Sequence, residues 1–579
     1  MNIHQQAPAG CYTATADGVW QRRTATAFGY SDGDAVESRL LDALRRSRDV
    51  GLFSEELRAL QTDWPSTYHL TALRGNLLRP FQARLQGASV LELGAGCGAI
   101  TRFLGESGAD VLAVEGSPRR ASIVVERCRD LPRVQVVADR IEAFETHRRF
   151  DVVTLIGVLE YARVFVEAPD PVQRLLEVAV SFLAPGGVLL LAIENQLGLK
   201  YFHGSAEDHL GRAMFGINDS YGPDTAVTFG RRELAQRVQR AGLACVDHYV
   251  PLPDYKTPVS MLYPAGLQSS DAAPGWDPSP LLAGSAVFDQ QRPAHPSFSL
   301  EMAWQVVGRN GLAADLANSF LMACGRQGAD VCTTAPGSAD AGSPVVLAAH
   351  YGGPRVARFA RETQFVLRDG MVATRTRKTG ETRALGQASW VHEPYLPGRL
   401  WIDELLQIVN RPGWTVDALV RWAEVWIGAL RAEPAAAPDT AGPGLRKFSH
   451  LLAPRYLDAA PFNFIVDASG RGRFFDLEWS YSTAVPLEFV VLRGLYLSFD
   501  RVTSCARPAA GMPAKQFDLA MQVMEACGLV LDLQAGDLDA FVQVFNGFQN
   551  HASGRPADEV HAATRALGAT EWPVRRLYT

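Results

Sequence analysis

No run of apolar residues in this chain reaches the roughly 18 needed to cross a bilayer, so no membrane-spanning helix is expected. Met1–Gly10 lacks the basic start and apolar core of a secretory leader. A cytoplasmic protein is expected, with any contact at the inner membrane peripheral and made through a partner. The eight cysteines, Cys11, Cys97, Cys128, Cys245, Cys324, Cys332, Cys505 and Cys527, are scattered, and none forms a C-x-x-C pair. That excludes a disulfide scaffold and a cysteine metal cluster, and reads as buried thiols in a reducing compartment. Charge of one sign is not in excess: the formal net charge of −6 gives no electrostatic case for nucleic acid. No internal repeat and no sustained heptad pattern occurs. His, Asp and Glu do not recur at metal-ligand spacing, so no metal is expected.

What the chain does have is a glycine-rich loop. Val90-Leu91-Glu92-Leu93-Gly94-Ala95-Gly96-Cys97-Gly98 is an apolar strand running into a turn with glycine at alternate positions. Without Cβ atoms such a turn bends sharply and lets a ligand approach the backbone. At the carboxyl end of a parallel strand it is where doubly wound folds take nucleotide-like cofactors. With Ala99 the loop also satisfies the dinucleotide form G-x-G-x-x-G/A. Its neighbours favour S-adenosylmethionine over a dinucleotide. Glu92 is placed to hold the turn and receive the methionine ammonium. Leu112–Glu115 is a second strand ending in an acid suited to the ribose hydroxyls, and Val134–Asp139 a third whose acid suits the adenine amino group. Phe150–Ile156 reads as a fourth strand, and the turn Leu183–Gly187 feeds a fifth at Val188–Ile193. A dinucleotide also wants an acid at Glu115; the complete series is what discriminates.

At 579 residues two to three domains are expected. Residues 1–81 read as a helical lead-in, with helical spacing over 36–60 and again over Tyr68–Phe81, after Asp63-Trp64-Pro65 breaks the pattern. Residues 82–265 read as the cofactor-binding α/β domain, a mostly parallel, Rossmann-like sheet of seven strands. Residues 266–344, rich in Pro, Ala, Ser and Gly, read as a linker with a helix near Leu312–Cys324. Residues 345–579 read as an α+β domain.

After the fifth strand, Glu194–Gly204 and Ser205–His209 are dense in polar, aromatic and ionisable residues. Methyl transfer to a hydroxyl requires a base, and histidine is the usual choice. His209 is the first candidate, with Asp208 or Glu207 orienting it; His203 is the second.

With these residues the chain resembles the class I methyltransferases of bacterial polysaccharide and O-antigen assembly. The resemblance covers roughly residues 30–325. It is carried by Tyr68-His69-Leu70, Arg74, Asn76–Pro80, Ile193–Asn195, Tyr201-Phe202, Glu207–His209, Thr228–Arg231 and Pro253–Pro258. It implies methylation of a sugar hydroxyl, or of a terminal phosphate, on a surface-glycan precursor, which modifies or caps the chain. It also implies that Tyr68, His69, Arg74 and Arg79 lie over the cofactor, and that glycosyltransferases of the same pathway are partners.

In the tail, Asp458-Ala459-Ala460-Pro461-Phe462-Asn463 has D-x-x-P-x-N spacing, followed by Asp476 within Phe474–Trp479. The tail resembles the kinase-like fold of small-molecule phosphotransferases and of the bifunctional kinase–methyltransferases that cap O-antigen. By that resemblance Asp458 orients an acceptor hydroxyl, Asn463 and Asp476 hold Mg2+ for ATP, Glu393–Leu400 is a hinge, and 345–392 is a small lobe. The departures are Tyr456 for histidine, Leu477-Glu478 for Phe-Gly, and no phosphate-loop or Ala-x-Lys strand signal, since Pro354 removes an amide donor. A degenerate domain that docks glycan or assembly partners is the alternative.

Overall fold

The computed structural model describes residues 9–24, 29, 33–267, 275–327, 331, 344–380, 389–477, 483–532, 534, 536–555 and 557–576. Much of the 325–342 linker, Cys332, Glu478 and Trp479 lie outside the described residues. The chain divides into two compact units, residues 1–291 with 307–394, and residues 292–306 with 395–579.

The first unit is built on a sheet whose centre is five parallel strands. They are β3 (Ser89–Leu93), β4 (Asp110–Glu115), β5 (Val134–Ala138), β6 (Phe150–Ile156) and β7 (Leu183–Glu194), in the order β5-β4-β3-β6-β7. Helices Ala99–Glu106, Pro118–Arg127 and Pro171–Ser181 form the crossovers. Sheets covered on both faces need strands that are apolar throughout. Val188–Ile193 meet that need, and every one of those residues is fully buried. Beyond β7 the sheet turns antiparallel, through β10 (Ser319–Gly325) to β8 (Cys245–Leu252).

Four expectations change here. The helix expected near Leu312–Cys324 is mostly strand: only Ala313–Leu316 is helical, and β10 fills the slot between β7 and β8. An all-apolar run of strand length cannot be told from a buried helix by periodicity alone. The domain expected to end at 265 therefore takes a central strand from residues 319–325. The sheet also exceeds seven strands. Its outer edge continues through β9 (Ser260–Leu262) to β11 (Val345–His350), β12 (Arg361–Arg368), β13 (Met371–Lys378) and β14 (Val391–Pro394). The lobe expected at 345–392 is thus hydrogen-bonded into the first unit, and the chain divides after Pro394, not at 345. The β12–β13 turn is Asp369-Gly370, with φ of +52° and +75°, as a two-residue hairpin of strands twisted right-handedly requires.

The lead-in differs in detail. A short hairpin, β1 (Tyr12–Ala14) and β2 (Trp20–Arg22), extends the sheet beyond β5. Helix Asp34–Arg46 docks through an ion pair of two buried side chains, Glu37 to Arg120 at 3.0 Å. Asp63-Trp64-Pro65 starts a helix instead of ending one. Asp63 and Ser66 form a capping box for Trp64–Leu70, and Pro65 occupies the first turn, where no amide is missed. The chain then continues as 3₁₀ turns, Ala72–Leu77 and Arg79–Phe81.

The second unit is α+β. Helices Trp401–Val409, Val416–Arg431, Leu487–Asp500, Gln516–Ala526, Asp537–Ser553 and Ala557–Leu567 surround a three-stranded sheet and a two-stranded one. The three strands are β15 (Arg399–Leu400), β17 (Phe464–Val466) and β18 (Gly472–Phe474), and the two-stranded sheet pairs β16 (Leu451–Leu452) with β19 (Val485–Pro486). Helix Leu487–Asp500 is its central rod, with Gly494 against Trp426 so closely that a Cβ would stand 2.5 Å from the indole ring. No helix among the described residues is long and apolar enough to cross a membrane.

Candidate functional site

At the carboxyl ends of β3, β4 and β6 lies a cavity of about 160 Å³. The loop Gly94–Cys97, Glu92, Glu115 and the lead-in residues Tyr68, His69 and Arg74 line it, with Gly157, Val158 and Tyr161 after β6. The glycines are required by geometry. Gly94, Gly96 and Gly98 have φ of +83°, +57° and +83°. A Cβ at Gly94 would stand 2.4 Å from Val158 Cγ2, while one at Gly96 meets no protein atom within 4 Å and would intrude on the space Gly96 lines.

The polar groups are arranged for a ligand more than for the protein itself. Glu92 is buried, its Oε2 has no protein hydrogen-bond partner, and burial pushes its carboxyl up to about 8. Arg74 donates to the carbonyls of Tyr255 and Lys256 at 3.4 and 3.0 Å and lies over the Tyr68 ring at 4.3 Å; its Nε is unpartnered. An unsatisfied buried carboxylate beside an unsatisfied guanidinium nitrogen fits an amino-acid zwitterion such as the methionine end of S-adenosylmethionine. Glu115 stands at the end of β4 and accepts from Gly96 N (2.7 Å) and Ser117 N (2.9 Å), which fixes the carboxylate against the loop. Burial raises its carboxyl pKa as well.

Asp139 and Arg79 are placed otherwise than expected. The Asp139 carboxylate accepts from Tyr12, from Arg22 Nε (2.9 Å) and from Arg140 N (2.9 Å), and does not line the cavity; Arg140, Ile141 and Glu142 do. The β1–β2 hairpin, which the sequence alone did not announce, takes up that acid. Arg79 donates to Asn76 Oδ1 at 3.1 Å and faces Phe103 and Tyr351, away from the cofactor cavity.

His209 is buried behind the cavity wall. Its Nδ1 is 3.1 Å from the Tyr161 hydroxyl and its Nε2 is 3.5 Å from Glu194 Oε2. Burial works against the imidazolium, but the Glu194 carboxylate outweighs it and carries the His209 pKa up to about 9. His209 itself does not line the cavity; Tyr161, its hydrogen-bond partner, does. The expected orienting partners also act elsewhere. Glu207 accepts from the backbone amides of His209 and Leu210, and Asp208 accepts from Tyr201, Lys200 and Lys256. His203 is buried on helix Leu199–His203, outside the cavity lining.

Glu160 and Tyr161 are not among the residues expected at the site, and Glu194 and Lys256 are expected there without a role. The signal was an acid and a tyrosine immediately after the fourth strand, at the ligand edge of the sheet. Glu160 is buried beside Glu194, which burial and that like charge register by raising its carboxyl to about 8. Lys256 donates to Glu194 Oε1 and to Asp208.

In the second unit, Asn463 donates to Asp458 Oδ2 at 3.1 Å and Arg493 donates to Asp458 Oδ1 at 2.6 Å. Asp476 follows β18 with φ of +53°. The Phe475 amide donates to the Asn463 carbonyl at 3.0 Å.

The family model described as a methyltransferase domain matches residues 67–248, the segment that supplies the loop, Glu115, Tyr161 and His209. The chain carries a methyltransferase domain. Among curated proteins, the chain is 34% identical over 136 residues to the ubiquinone biosynthesis O-methyltransferase of Xanthomonas axonopodis pv. citri (strain 306), covering 22% of this chain and 52% of that protein. It is 26% identical over 177 residues to that of Coxiella burnetii (strain Dugway 5J108-111), covering 30% and 71%. The chain therefore spans about half the length of the Xanthomonas relative. Among solved structures, the N-methyltransferase NodS from Bradyrhizobium japonicum WM9 with S-adenosyl-l-homocysteine is 20% identical, with 37% of this chain and 89% of that chain covered at a TM-score of 0.24. The methyltransferase domain accounts for the parallel core of the first unit.

Proposed function

We propose that the methyltransferase domain transfers a methyl group from S-adenosylmethionine to an oxygen of a bacterial surface-glycan or O-antigen precursor, a sugar hydroxyl in the first instance. The observation that carries the cofactor reading is the pairing of unsatisfied Glu92 and Arg74 groups with an open glycine cradle at Gly96. On this reading Glu92 and Arg74 hold the amino-acid end, Glu115 the ribose, and Arg140–Glu142 flank the base. The sulfonium supplies an electrophilic methyl group. The residue that meets the acceptor side is Tyr161, with His209 behind it. Oxygen as acceptor is supported by the O-methyltransferase relatives, and the glycan by the resemblance over Tyr68–Pro80 and Glu194–His209. Partner glycosyltransferases would bring the enzyme to its lipid-borne acceptor.

Calorimetry with S-adenosylhomocysteine tests the cofactor: absence of saturable binding sinks the reading. Mass spectrometry of surface polysaccharide from a strain lacking the protein tests the acceptor, because a missing methyl on a sugar, on a phosphate or on neither separates the cases.

A second reading concerns the second unit, which would phosphorylate the glycan end with ATP and Mg2+ before the phosphate is methylated. It is supported by Asn463 and Asp458 in hydrogen-bond contact, with Asp476 one hairpin later. ATP turnover that disappears in Asp476→Ala supports a phosphotransferase. Absence of turnover in the intact chain leaves a docking domain.

A further inference from the structure

Three ligand-type atoms meet behind Tyr161. Glu160, Glu194 and His209 each offer one atom, and the three lie within 4.8 Å of one another, a grouping found once among the described residues. Glu160 and Glu194 are 1% and 0% exposed, and the His209 side chain 7%. Glu160 Oε2, Glu194 Oε2 and His209 Nε2 all lack a hydrogen-bond partner. Glu194 Oε2 and His209 Nε2 face each other at 3.5 Å without closing a hydrogen bond, and the unpartnered Glu160 Oε2 joins them, so the three present ligand atoms to one point.

The surroundings define what that is. The other faces of the ligands are already engaged. Lys256 donates to Glu194 Oε1, which leaves Oε2. The Tyr161 hydroxyl takes Nδ1 of His209, which leaves Nε2. Fixing one imidazole nitrogen so that the other is presented is how proteins prepare a metal-binding histidine. Two carboxylates with one imidazole are a mixed oxygen and nitrogen donor set, which suits Mn2+ and its first-row neighbours better than Ca2+ or a thiophilic metal.

We propose that Glu160, Glu194 and His209 form a binding site for a divalent first-row cation, of which Mn2+ is representative. The site adjoins the cofactor cavity through Tyr161, which contacts His209 on one side and the cavity on the other. Any part the cation plays in methyl transfer rests on the function proposed above; its binding does not.

The test uses the full chain, stripped with a chelator and titrated with Mn2+ under equilibrium dialysis and electron paramagnetic resonance. Saturable binding of about one Mn2+ per chain is expected, with nitrogen modulation of the Mn2+ echo signal from the imidazole. Glu160→Gln and His209→Gln should each weaken binding at least tenfold, while exposed Glu393→Gln does not. If either ligand variant fails to fold, the nitrogen modulation in the unaltered protein still decides. Failure of Mn2+ to saturate, binding without nitrogen modulation, or binding unchanged in Glu160→Gln/His209→Gln would each overturn the assignment. A parallel titration with S-adenosylhomocysteine keeps the two readings apart, since Mn2+ bound by a chain that ignores the nucleoside refutes only the transfer function.

Discussion

Replacing Glu92 by glutamine should stabilise the ligand-free protein and weaken its hold on the cofactor. Burial raises the Glu92 carboxyl from 4.5 to about 8, so at pH 7 the folded protein keeps a proton that the unfolded chain has lost. Each pH unit of that gap is worth about 1.4 kcal/mol, so the two and a half units from 4.5 to 7 cost about 3 kcal/mol. The folded pKa is raised, so the favourable part is complete below 4.5 and is lost as pH climbs toward 8. Glutamine removes the ionisation but keeps one unsatisfied polar group, which leaves a gain of about 1–3 kcal/mol. For a unit of this size that is a melting temperature higher by about 1–4 °C. Thermal unfolding from pH 5 to 8 measures it, and the gap between variant and parent should open as pH rises. S-adenosylhomocysteine should reverse the order, because a charge-assisted contact worth about 1.5–3 kcal/mol is lost, roughly 10- to 100-fold in affinity. The reasoning fails if Glu92→Gln melts below the parent at pH 7.5, if the gap is independent of pH, or if affinity is unchanged.

Gly94→Ala and Gly96→Ala should separate folding from binding. The first meets Val158 at 2.4 Å in a left-handed conformation and should cost about 3 kcal/mol of stability. The second should cost only about 1 kcal/mol yet lose at least about tenfold in cofactor affinity, read by denaturation and calorimetry. Arg493→Met should destabilise the second unit by about 3–5 kcal/mol by stranding the buried Asp458, and Arg493→Met/Asp458→Leu should recover part of that loss; paired melting curves check this. Burial, followed by the nearby Arg231 charge, holds His248 down at about 4, below its ordinary 6.5. Its contribution is therefore complete above pH 6.5 and is lost as pH falls toward 4, about 3 kcal/mol in all, and His248→Gln should lose that share of the acid sensitivity in urea titrations at pH 6.5 and 4.5.

The placement of the glycine loop and its flanking acids was legible because it is local. Glu92, the three glycines and Glu115 sit on consecutive strand ends, and strand periodicity alone puts such positions at one edge of a parallel sheet. Asp139 obeyed the same rule, yet a hairpin more than a hundred residues upstream claimed its carboxylate. The buried cluster of Glu160, Glu194, His209 and Lys256 meets only because β6, β7 and the 253–258 segment converge. No spacing rule connects them.

From its own order of residues this chain determined the glycine loop, the parallel core that presents it, and the α+β character of its tail, because hydrophobic period and turn chemistry act over a few residues. Only the tertiary structure decided that residues 319–325 supply a strand between β7 and β8, that residues 345–394 extend the first unit's sheet, and that His209 stands beside Glu194. Strand pairing and the charge on a buried group depend on which distant segments arrive beside them, and in this chain those partners lie tens to hundreds of residues away.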